Sequence, residues 1–196
     1  IRDDSTGSFI DANYLDLEGV IEVTSVTSST GFRDAVVSPD RDLLFLTTRS
    51  PDAVTVLDLT RIEDNDEKEI TRAVSVASIP LPSAARDLGA ATVAFIGGAG
   101  MALTADQRTL LVTHNRSNAV SAIDLDLGPF GLEVAWVPYV GESPNVIRLS
   151  PDGHHAVIAN YLGEVKDGTA HSTLAILDTD PTSDRYLEVV TWLVNK

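Results

Sequence analysis

The sequence predicts an all-β chain assembled from repeated four-stranded antiparallel sheets. Three observations predict it. A segment repeats without a gap: residues 38–59, from Ser38-Pro39-Asp40-Arg41-Asp42 to Val56-Leu57-Asp58-Leu59, match residues 104–125 at an offset of 66. Short runs of Val, Ile, Leu and Thr are broken by Asp, Gly, Pro and Asn clusters, with no sustained 3.6-residue period. The breaks carry tight-turn chemistry in Ser38-Pro39-Asp40-Arg41 and Ser150-Pro151-Asp152-Gly153. Proline presets φ, aspartate bonds nearby backbone, and glycine tolerates positive φ.

Each repeat reads as strands A to D from inside outward. The first is expected to place them at 34–38, 43–48, 54–59 and 73–79, and the second at 100–104, 109–114, 119–125 and 133–140. The third copy, opening at Ser150 and closing at Leu174-Ala175-Ile176-Leu177-Asp178, gives 145–150, 155–160, 173–178 and 187–194. Its offset from the first copy grows from 112 at Ser150 to 120 at Leu177, so eight residues are inserted near 163–170. Ahead of these stand only a C-like run at 10–17 and a D-like run at 20–26. Asp16, Asp58, Asp124 and Asp178 recur where strand C ends. Backbone capping is their ordinary role, and a ladder of cation ligands the alternative. A short helix is permitted in the Ala-rich insertion at 83–94.

A repeat of roughly 40–45 residues marks the blade of a β-propeller. The domain expected is therefore a single partial propeller over 1–196: a half-blade at 10–26 and blades at 31–80, 98–140 and 144–195. Three and a half blades do not close a ring, so an incomplete one is expected, part of a ring of seven blades. The remaining blades are expected from a longer parent chain or a second polypeptide. The start, Ile1-Arg2-Asp3-Asp4, is neither an initiator methionine nor a signal peptide, which also suggests a piece of a longer chain.

Ser-Pro-Asp-Gly, an apolar strand, Asn or Arg, then Ala119-Val120-Ser121-Ala122-Ile123-Asp124 resembles the YVTN repeat family and the wider lactonase-like and quinoprotein-amine-dehydrogenase-like propellers. The resemblance runs over about 10–194 and is specific for fold. The Tyr-Val-Thr-Asn strand itself survives only as Leu111-Val112-Thr113-His114 and Val157-Ile158-Ala159-Asn160. The resemblance implies that ligands and catalysis sit on the face formed by the B–C and D–A loops, around the central funnel.

Composition limits the function. With 14 Lys+Arg against 29 Asp+Glu the net charge is −15, which repels nucleic acid and anionic lipid. The absence of cysteine excludes disulfides, cysteine zinc sites, thiolate catalysis and CxxCH haem attachment within the chain. No run approaches the ~20 apolar residues of a membrane span.

Alternation of strands puts His114, Arg116, His171 and the D–A connections on the B–C/D–A face, and Asp40, Asp106 and Asp152 on the other. His114 and His171 occupy corresponding positions of successive blades, where imidazoles suit proton transfer or metal coordination. Hydrogen-bonded turn histidines are the bland reading, and no spacing fixes a metal. Arg33, Asn145 and Arg148 lie on or just before innermost strands, nearest the axis. The candidate ligand residues are therefore Arg33, His114, Arg116, Asn145 and His171, with catalytic residues unassigned and no cofactor or metal expected. The acidic run Glu63-Asp64-Asn65-Asp66-Glu67 lacks the glycine and terminal glutamate of an EF-hand, and reads as a solvated loop. Gly97-Gly98-Ala99-Gly100 precedes a strand rather than a helix, and is read as a flexible lead-in, not a phosphate cradle. There is no G-x-S-x-G elbow.

The functional expectation is an extracytoplasmic propeller segment, periplasmic, cell-surface or secreted, that binds or scaffolds a protein or a small ligand in the funnel. The alternative is a fragment of a propeller enzyme, either a lactonase-like hydrolase or a redox protein serving a separate haem domain.

Overall fold

The protein is described by a computed structural model over residues 21–23, 32–49, 52–61, 71–73, 75–81, 98–166 and 169–194. Three four-stranded antiparallel sheets carry the fold. Blade one pairs β2 (Phe32–Ser38), β3 (Leu43–Arg49), β4 (Asp52–Asp58) and β6 (Ser75–Pro80). Blade two pairs β7 (Gly98–Leu103), β8 (Thr109–His114), β9 (Ala119–Asp124) and β10 (Leu132–Val137). Blade three pairs β11 (Pro144–Leu149), β12 (His155–Lys166), β13 (Thr169–Asp178) and β14 (Val189–Val194). The inner strand β7 lies against both β2 and β11, so the blades are stacked side by side around an axis. This is an incomplete β-propeller. Among the described residues the only helical pieces are two 3-10 turns, and no helix is long and apolar enough to cross a membrane.

The central blade shows why the strands read as near-continuous apolar runs. One face of blade two gives Met101, Leu110, Val112 and Ile123 to a core shared with Phe45, Val54 and Val56 of blade one. The other gives Ala102, Leu111, Val120 and Ala122 to a core shared with Ile147, Ile158, Ala175 and Leu177 of blade three. A sheet covered on both faces has no solvent side to alternate toward. Burial of this kind is worth roughly 25 cal/mol per Å² of apolar surface, and it is the main attraction between blades.

Polar clasps complete the blade contacts at the A–B end. The left-handed Gln107, at φ 56°, accepts hydrogen bonds from the Ser38 hydroxyl (2.9 Å) and the Asp40 backbone N–H (3.3 Å). Arg41 reaches across from blade one to the Leu125 carbonyl and to Asp126, which Arg108 also engages. Those two guanidiniums, Arg41 first, hold the Asp126 carboxyl below the usual carboxylate range.

The recurring aspartates are caps. Asp58 accepts from Thr60 N–H (2.9 Å), Asp124 from Asp126 N–H (2.8 Å) and Asp178 from Asp180 N–H (3.0 Å), each bond closing an Asx turn. Asp16 and the C-like run at 10–17 lie outside the described residues, as do the acidic run and the 83–94 insertion. Of the half-blade expected at 10–26, only β1 (Ile21–Val23) is described. It pairs in parallel with β5 (Thr71–Ala73), just before the outer strand of blade one. The insertion in blade three has a definite form. β12 and β13 run past Asn160 and Thr173 as a two-stranded ribbon, with Glu164 opposite His171 and Lys166 opposite Thr169.

Candidate functional site

Every inner strand carries an irregularity at the same height. The register slips between Phe32 and Ala35 in β2, between Gly98 and Met101 in β7, and between Pro144 and Val146 in β11. Extra residues in a strand are freed from the pairing pattern and re-aimed. The freed residues are Arg33 and Asp34, Ala99 and Gly100, and Asn145. Together with Val146 and Arg148 they line a recess of about 450 Å³ at the starts of the inner strands. A second recess of about 280 Å³, reaching Val36, Leu103 and Leu149, continues along the same strands and shares Asp34 and Arg148.

The irregularities are held by side chains of the second strands. Thr47 Oγ1 accepts the Asp34 N–H (3.0 Å) and donates to the Ala99 carbonyl of the next blade (3.2 Å). Thr113 Oγ1 accepts the Gly100 N–H (2.8 Å) and donates to the Gly100 carbonyl (3.2 Å). Gly100 is also where blades two and three come closest, since a Cβ there would stand 2.6 Å from the Asn145 carbonyl oxygen. From Gly98 onward the glycine-rich stretch is therefore part of β7 itself, with Gly98, Ala99 and Gly100 all buried, rather than a flexible lead-in.

Charge in the recess is unbalanced. The Asp34 carboxylate is spent on backbone donors, accepting Met101 N–H across the blade gap (2.7 Å) and Ala35 N–H (2.9 Å). Arg148 donates to its neighbour's carbonyl, Ile147 (2.7 Å), and Arg33 is exposed at the rim. Two guanidiniums and the Asn145 amide thus face a recess whose single carboxylate is already engaged.

The other sequence candidates lie elsewhere. His114 is fully buried at the end of β8, its ring 5.4 Å from that of Trp136. Its Nε2 is 2.8 Å from the Ser121 hydroxyl, which donates to Glu133 (2.5 Å). Because the serine proton points to Glu133, the imidazole is the donor, as the neutral Nε2–H tautomer. Burial pushes its pKa down to about 4. A serine between histidine and carboxylate, with no exposure, is not arranged as an activated nucleophile. His171 is half-buried on the blade-three ribbon, and Arg116 is exposed in the turn after β8. The structure brings Arg33, Asn145 and Arg148 together and leaves His114, Arg116 and His171 out of that recess. Among the described residues no group of three or more His, Asp and Glu side chains is placed to hold a metal ion. Asp34 and Gly100 escaped sequence reasoning because nothing in their local pattern marks a bulge.

No family model matches the chain, and no curated protein matches it. Solved structures do. Hydrazine synthase of Kuenenia stuttgartiensis is 22% identical, covering 91% of this chain and 40% of its own, with a TM-score of 0.60. The periplasmic gluconolactonase PpgL of Pseudomonas aeruginosa is 19% identical over 86% of this chain and 41% of its own, TM-score 0.62. A putative 6-phosphogluconolactonase of Bacteroides uniformis is 18% identical over 91% and 46%, TM-score 0.61. At these identities the likeness is one of fold. The chain spans less than half the length of each of these structures.

Proposed function

We propose that this chain is part of a propeller that binds a small anionic ligand at the axial recess, with Arg33 and Arg148 supplying charge and Asn145 hydrogen bonding. One observation carries the reading: two arginines converge on a recess whose carboxylate, Asp34, is occupied by Met101 and Ala35 N–H. In a chain of net charge −15, a cationic spot at the mouth of a funnel is the place where an anion is tolerated. Arginine forks match carboxylate and phosphate oxygens. The role is binding rather than catalysis, because the best acid–base candidate, His114, is buried away from the recess. The module is read as extracytoplasmic, a setting supported by the periplasmic gluconolactonase of like fold. The blades needed to close the funnel would come from the parent chain or a second polypeptide.

Calorimetric titration of the full-length protein with inorganic phosphate, gluconate and 6-phosphogluconate tests this. Saturable binding is expected for at least one, weakened about tenfold by Arg33→Gln and again by Arg148→Gln, as for loss of a charge-assisted hydrogen bond. Absence of binding by all three, or, in a parallel titration followed by amide chemical shifts, perturbation confined to the turns at Asp40, Asp106 and Asp152, refutes it.

A further inference from the structure

A second site lies on the rim of the same face, away from the axis. The connection between blades two and three bends sharply, with Tyr139 (φ 53°), Gly141 (φ 112°) and Ser143 (φ 56°) all left-handed. For a tyrosine this conformation is an outlier that its surroundings must impose. Two asparagines impose it. Asn118 accepts Ser143 N–H (2.8 Å) on its side-chain oxygen and Val140 N–H (2.7 Å) on its carbonyl, and its amide donates to Glu142 Oε2 (2.9 Å). Asn160 donates to the Val140 carbonyl (3.1 Å) and fills the space where residue 141 would carry a Cβ.

This framework presents Tyr139, 57% exposed, with its ring 5.8 Å from that of Trp192 and tilted by 41°. The two rings and Glu142 line an open pocket of about 230 Å³. Beside it Tyr161 and Leu162, whose N–H groups bond the carbonyls of Ser143 and Glu142, stand 75% and 56% exposed. Large aromatic and aliphatic groups are thus held in water around one carboxylate. Aromatic faces attract a cation, and the neighbouring carboxylate adds to the attraction.

We propose that this rim pocket docks an arginine side chain from a basic segment of a partner protein. Charge complementarity argues for the occupant: a chain of net charge −15 draws basic surfaces toward it, and the pocket supplies a carboxylate and two ring faces at the point of contact. The planar guanidinium stacks on aromatic rings and pairs with carboxylate, which the ammonium of lysine does less well. Tyr161 and Leu162 extend the apolar surface past the reach of one side chain, so the fit is to a segment with an apolar neighbour of the arginine. An arginine anchor within an aromatic surround is a common centre of protein interfaces. This site is independent of the axial recess.

The probe is the synthetic peptide acetyl-Gly-Leu-Arg-Leu-Gly-amide against the full-length protein, read by amide and side-chain chemical shifts, beside a twin with citrulline in place of arginine. Shifts are expected at Tyr139, Glu142 and Trp192, with affinity at least fivefold weaker for the citrulline peptide. Trp192→Leu keeps apolar area, and Glu142→Gln keeps an acceptor for Asn118. Glu142→Gln is expected to weaken the arginine peptide about five- to tenfold while leaving the citrulline peptide unchanged, and Trp192→Leu to weaken both, since the planar ureido group of citrulline also stacks on the ring. If Trp192→Leu unfolds, Glu142→Gln and the citrulline peptide still decide. Equal binding of the two peptides, or shifts elsewhere only, overturns the proposal.

Discussion

At His114, burial acts on one imidazole. The ring lies between Ser121 and Trp136 with no exposure, and burial holds its pKa near 4, against 6.5 for a free histidine. Between these values the unfolded chain binds a proton that the folded chain does not. Stability therefore rises with pH across that window and is lost as pH falls from about 6.5 toward 4, levelling off below. At 1.36 kcal/mol per unit the full effect is about 3 kcal/mol. Urea unfolding at pH 7.5, 6, 5 and 4 is expected to show this decline, and His114→Gln to flatten it. An unchanged slope in the variant would place the proton uptake elsewhere. The same residue shows what the sequence concealed. From sequence His114 is the last residue of a strand, on the B–C/D–A face, and a candidate ligand; its burial follows from partners, Ser121 and Glu133, that are set by register across β8, β9 and β10. Arg33 and Asn145 were legible as axial because inner-strand position follows from the repeat, whereas their convergence with Gly100 depends on bulges that no local pattern marks.

Among the elements, β7 sets how closely the blades pack. A Cβ on Gly100 would lie 2.6 Å from the Asn145 carbonyl and 3.1 Å from the Ile147 nitrogen, both backbone atoms of β11. Neither can move without shifting the inner strand of blade three. Gly100→Ala is therefore expected to cost about 1–3 kcal/mol, the usual range for overpacking a fixed interior. Chemical unfolding measures that cost, and hydrogen exchange should find the added opening in β7 and β11 before β2. A neutral substitution would mean that the strands are not in this contact. The blades were legible because the 66-residue repeat aligns strand with strand, and β8 runs at Thr109–His114 as its apolar pattern indicates. Strand ends were less so. The blade-three insertion lengthens a hairpin into the ribbon ending at Lys166 and Thr169, and the parallel pairing of β1 with β5 joins segments about fifty residues apart. Pairings of that kind follow from three-dimensional proximity, which turn signals and periodicity do not encode.

For the whole molecule, the side of blade three turned away from blade two is decisive. Alternation across the sheet aligns Val146, Ala159, Leu174 and Leu193 in one row, with Val157 beside Ile176 in the next. No residue of these rows is fully buried, and Val146, Leu174 and Leu193 are 43%, 37% and 53% exposed. The corresponding face of blade two carries Leu111, Val120 and Ala122 and is sealed by blade three. Apolar rows of this size are costly in water, and another sheet of the same kind is the surface shaped to cover them. The solved structures of like fold are more than twice as long as this chain. Hydrogen exchange on the full-length protein is expected to find β13 and β14 as protected as β8 and β9. Native mass measurement then separates the two sources: one polypeptide of higher mass means a continuing chain, and a stable heteromeric mass means a second polypeptide. Fast exchange along β13 and β14, in a monomer whose mass is that of this chain alone, would mean that the face stays open to water.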